Sequence, residues 1–87
     1  MQVEYSKQAV KFISIQDKNT KLRIKRGIEG LTETPPKGDI KPLQGYINGT
    51  YRLRIGKLRI VYRCDTGVNQ RQILFISDIS SRGDIYK

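Results

Sequence analysis

With 87 residues and a formal charge of +9, from 17 Lys and Arg against 8 Asp and Glu, the chain suffices for one small domain, residues 1–87, and hardly for two. It has no His, and its one cysteine, Cys64, has no intramolecular partner; this excludes a thiol–imidazole pair and the usual zinc sites, and no metal or cofactor is expected. No apolar run approaches the roughly 18 residues of a membrane span, and Met1–Ser6 leads into a polar helix, so a soluble, cytoplasmic protein without a membrane partner is expected.

In chain order, Val3–Tyr5 reads as a short first strand. Ser6 is a candidate N-cap, and Ala9, Val10, Phe12, Ile13 and Ile15 recur at mostly helical spacing. Asp17 can cap a second helix, whose Leu22, Ile24, Ile28 and Leu31 form an imperfect inner face. Gly27 and Gly30 weaken that helix, and Pro35-Pro36 ends it. The pair predicts an αα-hairpin. Asp39–Gly49, with Pro42, Gly45 and Gly49, reads as an ordered loop pinned to the core by Ile40 and Leu43.

The next stretch is the most telling. Tyr51–Ile55 and Leu58–Tyr62 alternate at period two around Gly56-Lys57, which suits a two-residue turn with glycine first. Folding there pairs Ile55 with Leu58, Arg54 with Arg59, Leu53 with Ile60, Arg52 with Val61 and Tyr51 with Tyr62. Tyr51, Leu53, Ile55, Leu58, Ile60 and Tyr62 then share one face, with both tyrosines inward, and Arg52, Arg54 and Arg59 share the other. Like charges directly opposite one another destabilise a sheet, so Arg54 against Arg59 implies an anion between them. Arg52, Arg54, Lys57, Arg59 and Arg63 all fall within Tyr51–Arg63, which contains no acid. Such clustering suits a nucleic-acid binder or a protein covered by an acidic partner; a merely solvated basic surface is the plainer alternative.

Cys64 falls just past this strand and reads as inert. Val68–Arg71 is a connection, and Gln72–Ile79 is the last strand. It has Ile73 and Phe75 on one face and Leu74, Ile76 and Ile79 split onto the other, which predicts a central strand packed on both sides. The order β-α-α-β-β-β predicts an α+β fold with an N-terminal strand and an αα-hairpin on one face of a mainly antiparallel sheet. A core this small needs that helix cover.

Tyr51-Arg-Leu-Arg54, Leu58-Arg-Ile-Val-Tyr62, Ile76-Ser-Asp-Ile79 and Arg82-Gly-Asp-Ile-Tyr86 follow one another as in the RelE/ParE toxin superfamily of bacterial toxin–antitoxin systems. Gly38-Asp-Ile-Lys-Pro-Leu-Gln-Gly45 is similar to the loop those proteins carry before the basic hairpin. The resemblance spans nearly the whole chain, most strongly from Gly38 onward. It implies the RelE-like fold and one of two activities. RelE-like members cleave messenger RNA in the ribosomal A site; ParE-like members poison DNA gyrase without hydrolysis.

Carried over residue by residue, the RelE-like catalytic cluster falls on Arg52, Arg54, Arg59 and Tyr86, with Lys57, Arg63 and Arg82 as further candidates for RNA contact. Tyr86 favours the metal-independent endoribonuclease, because the gyrase poisons need no such tyrosine. In that reaction the ribose 2′-OH attacks the adjacent phosphate, and planar guanidinium donors suit the charge that builds on its oxygens. Arg59 is assigned to the transition-state phosphate, Arg52 to backbone positioning or the same phosphate, and Tyr86 to stacking or to the 2′-OH.

Where this chain has Arg52 and Arg54, RelE-like members often have lysine, and an arginine stays protonated, so the general base is open. Lys57 reads as a solvated turn residue, Asp84 as an ion-pair partner, and Tyr46 in the loop is undecided. Lys7, Lys11, Lys18, Lys21, Lys25 and Arg26 form the solvated side of the helices or a surface toward ribosomal RNA. The superfamily also implies an acidic cognate antitoxin in a hetero-oligomeric complex, contacting the helix pair or the last strands.

Overall fold

One serine side chain ends the first strand and starts the first helix. In the computed structural model, which describes residues 2–43 and 49–81, β1 (Gln2–Tyr5) passes through Ser6 into α1 (Lys7–Ser14). The Ser6 Oγ accepts from the Ala9 N–H at 3.1 Å and donates to the Ser77 carbonyl at 2.9 Å. α2 (Lys18–Leu31) is capped by Asp17, which accepts from the Thr20 N–H at 2.7 Å. That bond holds the Asp17 carboxyl below its ordinary range. Tyr46, Arg82, Asp84 and Tyr86 lie outside the described residues.

The remaining elements are β2 (Asp39–Pro42), β3 (Thr50–Ile55), β4 (Leu58–Thr66), a 3-10 turn (Val68–Gln70) and β5 (Gln72–Ser81). They form a five-stranded sheet in the order β1-β5-β4-β3-β2. Only β1 and β5 are parallel. The β3–β4 hairpin has the register its alternation predicts, from Tyr51 opposite Tyr62 to Ile55 opposite Leu58. Gly56, at φ +58°, leads the two-residue turn and Lys57 follows at negative φ, the pattern of a type II′ turn. Both helices pack on one face of the sheet. Ala9, Phe12, Ile24, Ile28 and Leu31 bury against Leu53, Leu58, Ile60, Tyr62, Leu74, Ile76 and Ile79. Among the described residues no helix is long and apolar enough to cross a membrane.

Several sequence expectations are corrected. Asp39–Pro42, read as loop, is a strand with Ile40 opposite Leu53; its pairing comes from β3, and four residues are too few to display an alternation of their own. α2 stops at Leu31, before Pro35-Pro36, and the freed Gly30 carbonyl accepts from Lys37 N–H at 3.0 Å. Cys64 sits within β4, which runs on to Thr66, and its side chain is exposed. Val10, Ile15 and Leu22 match helical spacing yet face solvent.

The last strand is covered on one face only. Its register shifts between Val61 and Tyr62, which pair with Asp78 and Ile76, so Ser77 is the extra residue of a bulge. Ser77 Oγ donates to the Val61 carbonyl at 3.1 Å. The inserted residue lets Ile76 and Ile79, three apart, bury on the same side as Leu74. Beyond the stretch of β5 paired with β1, the Gln8 side chain stands in for a neighbouring strand. Its amide donates to the Ile79 carbonyl at 2.6 Å and accepts from the Ile79 N–H at 2.9 Å. Helix and bulge together hold the strand end that lies beside the hairpin arginines.

Candidate phosphate-binding face

The face opposite the helices is ordered by sheet register into rows. The first row runs Asp39, Arg54, Arg59, Ser80, the second Lys41, Arg52, Val61, Asp78, and the third Thr50, Arg63, Phe75, Glu4. Arg54 and Arg59 do stand opposite each other. Arg54 is exposed, whereas the Arg59 Nε is fully buried with no hydrogen-bond partner among the described residues. A buried, unsatisfied donor costs on the order of 1–3 kcal/mol, more when charged. An anion's oxygen removes that cost and the repulsion from Arg54 at once.

Arg52 is held differently. Its Nη1 donates to the Asp39 carbonyl at 3.2 Å and lies 3.7 Å from the Asp39 carboxylate, and its side chain is only 11% exposed. Strand β2, missed in the sequence, is what supplies this anchor. Arg63 pairs with Asp65 at 3.0 Å and lies over the Phe75 ring, 4.5 Å from its centroid. Lys57, at the hairpin tip, is exposed as read. The structure therefore brings Arg52, Arg54, Arg59 and Arg63 onto one face, with Lys57 at its end; Tyr86 and Arg82 are not described.

Three open-face residues placed by long-range strand pairing escaped the sequence reading: Asp39, Phe75 as a partner of Arg63, and Asp78. Only the placement of β2 and the bulge at Ser77 bring them there, and neither leaves a clear local signal. The inward tyrosines stack with centroids 5.8 Å apart, Tyr62 buried and Tyr51 at the core margin. Burial, then the nearby Cys64 and Tyr51, push the Tyr62 hydroxyl up to about 12. Partial desolvation by its strand neighbours, then the Asp65 carboxylate, raise the Cys64 thiol, although its side chain is exposed. Both groups keep their protons at neutral pH, so neither is a ready base. No cluster of metal-ligating side chains occurs among the described residues.

A sequence model for the ParE toxin of the type II toxin–antitoxin system parDE matches residues 3–86. The chain belongs to this toxin family. Its fold is that of the RelE/ParE superfamily, as the hairpin motifs imply. The toxin is similar to the YoeB/ParE toxin from Agrobacterium tumefaciens, with 22% identity and a TM-score of 0.78 over 93% of this chain and 98% of that one. It is also similar to a chain of the RelB–RelE antitoxin–toxin complex from Methanococcus jannaschii, with 24% identity and a TM-score of 0.70 over 97% and 95%. A chain of the toxin–antitoxin complex RelBE2 from Mycobacterium tuberculosis aligns with 21% identity and a TM-score of 0.71 over 93% and 96%. At these identities the likeness establishes the fold. Among curated proteins there is no match.

Proposed function

We propose that the toxin is a metal-independent endoribonuclease that cleaves messenger RNA in the ribosomal A site and so stops translation. The observation that carries this reading is Arg59: a guanidinium whose buried Nε has no partner among the described residues, facing Arg54 on a sheet face that no described element covers. The 2′-OH attacks the adjacent phosphorus, the bond to the 5′ oxygen breaks, and a 2′,3′-cyclic phosphate and a 5′-OH result. Arg59 and Arg54 stabilise the charge on the nonbridging oxygens. Arg52, fixed by Asp39, positions the backbone. Lys57, Arg63 and Arg82 contact neighbouring RNA, and Tyr86 stacks on a base or orients the 2′-OH.

Proton transfer falls to Asp78 in this scheme. Arginines cannot accept the proton, and Asp78 is an open-face carboxylate opposite Val61, one diagonal from Arg59. The partner is an acidic cognate antitoxin in a hetero-oligomeric complex in the cytoplasm. Support comes from the toxin family itself, from the antitoxin complexes among the structural relatives, and from exposed Val10, Ile15 and Leu22 on the helix pair. A ParE-like block of DNA gyrase is the second reading, favoured by the family that matches.

Ribosomes programmed with a short message, with 5′ ends mapped by primer extension, separate the two. A-site cleavage is expected, slowed by about 10²-fold or more in Asp78→Asn. Full-rate cleavage by that variant removes Asp78 from the mechanism. Intact message together with inhibited gyrase supercoiling replaces the RNase reading with the gyrase one.

A further inference from the structure

We infer that Arg63 and Phe75 form a nucleobase-stacking platform on the open face, a subsite for a base of the RNA strand whose phosphate Arg54 and Arg59 hold. The inference rests on the RNA reading and extends it from the phosphate to the base. Leu74 and Ile76 point into the core, so Phe75 between them faces the open side. It stands opposite Arg63, whose guanidinium lies 4.5 Å from the ring centroid. Asp65 fixes that guanidinium at 3.0 Å, yet the Arg63 side chain remains 40% exposed. A planar cation held on an aromatic ring and still open to solvent has a free face, and bases stack on both guanidinium planes and aromatic rings.

Position on the sheet selects RNA as the occupant. Arg59 and Arg63 are four residues apart on β4, a distance of about 13 Å, short enough for one strand of RNA to reach both. Between them lies Val61, flanked in its row by Arg52 and Asp78. Val61 is itself buried, so a nucleotide chain laid along β4 meets a phosphate site and then a stacking site. A purely structural cation–π pair needs none of this alignment with the arginine row.

The test uses the full toxin, a labelled short oligoadenylate and an abasic ribose-phosphate oligomer of equal length and charge, compared by fluorescence anisotropy. The wild type should prefer the base-bearing oligomer by roughly 5- to 150-fold, the effect of one stacked base. Phe75→Leu, which keeps apolar bulk, should lose that preference with its affinity for the abasic oligomer unchanged, and Phe75→Trp should keep it. Equal wild-type affinity for the two oligomers overturns the platform and leaves phosphate binding standing. An equal loss on both in Phe75→Leu makes the pair structural only, and overturns it too. Binding to neither oligomer also overturns the platform, while A-site cleavage judges the RNA reading separately.

Discussion

Arg59→Ala is expected to lower A-site cleavage by about 10²- to 10³-fold, the effect of removing one preorganised donor from a developing oxyanion. The same variant should be at least as stable as the wild type. Truncation removes a cation facing Arg54 and a buried Nε with no partner among the described residues, and both destabilise the empty protein. Loss of activity with an unchanged or higher melting temperature is the signature of a group strained for function. Arg59→Lys should recover little, since a lysine keeps the charge but has neither the planar fork nor the Nε–H. Cleavage by primer extension and thermal unfolding by circular dichroism read the two halves. A variant that unfolds would make Arg59 a structural residue, and one that cleaves at the wild-type rate would empty the site of its main donor.

How far the sequence shows this site depends on how local each signal is. The hairpin is legible because period-two alternation and a glycine-led turn set the register within a dozen residues, and Arg54 opposite Arg59 follows from counting alone. The caps at Ser6 and Asp17 are equally local. What stayed hidden depends on partners distant in sequence. β2 exists because β3 lends it hydrogen bonds, and with it comes the Asp39 anchor for Arg52. The bulge at Ser77 shifts the phase of β5, so a strand apolar on alternating sides becomes one with a single buried face. That shift leaves Phe75 and Asp78 on the open face, and no propensity marks it. Helical spacing likewise marks Val10 and Leu22 as inward. Each helix buries one stripe only, Ala9 and Phe12 on α1 and Ile24, Ile28 and Leu31 on α2, and Val10 and Leu22 fall outside it.

Gly38→Ala should destabilise the toxin by about 2–4 kcal/mol, the combined scale of backbone strain and an overpacked core contact. Gly38 adopts φ +131°, a region that side chains with a Cβ rarely enter. A Cβ there lies 2.5 Å from Leu53 Cδ1, and Leu53 is among the most fully buried side chains. Neither problem relieves the other: relaxing the backbone moves the start of β2, and moving Leu53 disturbs the core. Gly49→Ala separates the two contributions. Gly49 has φ +90° but no atom of a described residue within 4 Å of an added Cβ, so it should show the backbone strain alone, about 1–3 kcal/mol. Small domains have only about 5–15 kcal/mol of stability in total, so the Gly38 variant should unfold at a clearly lower urea midpoint. The loss should reach the arginine face as well. Gly38 adjoins Asp39, which holds Arg52, and Leu53 lies between Arg52 and Arg54 on β3. Cleavage at a temperature where the variant is still folded should therefore fall in Gly38→Ala and hold in Gly49→Ala. Equal urea midpoints for the two variants would show that Leu53 yields freely and that packing at the root of β2 does not set the arginine geometry.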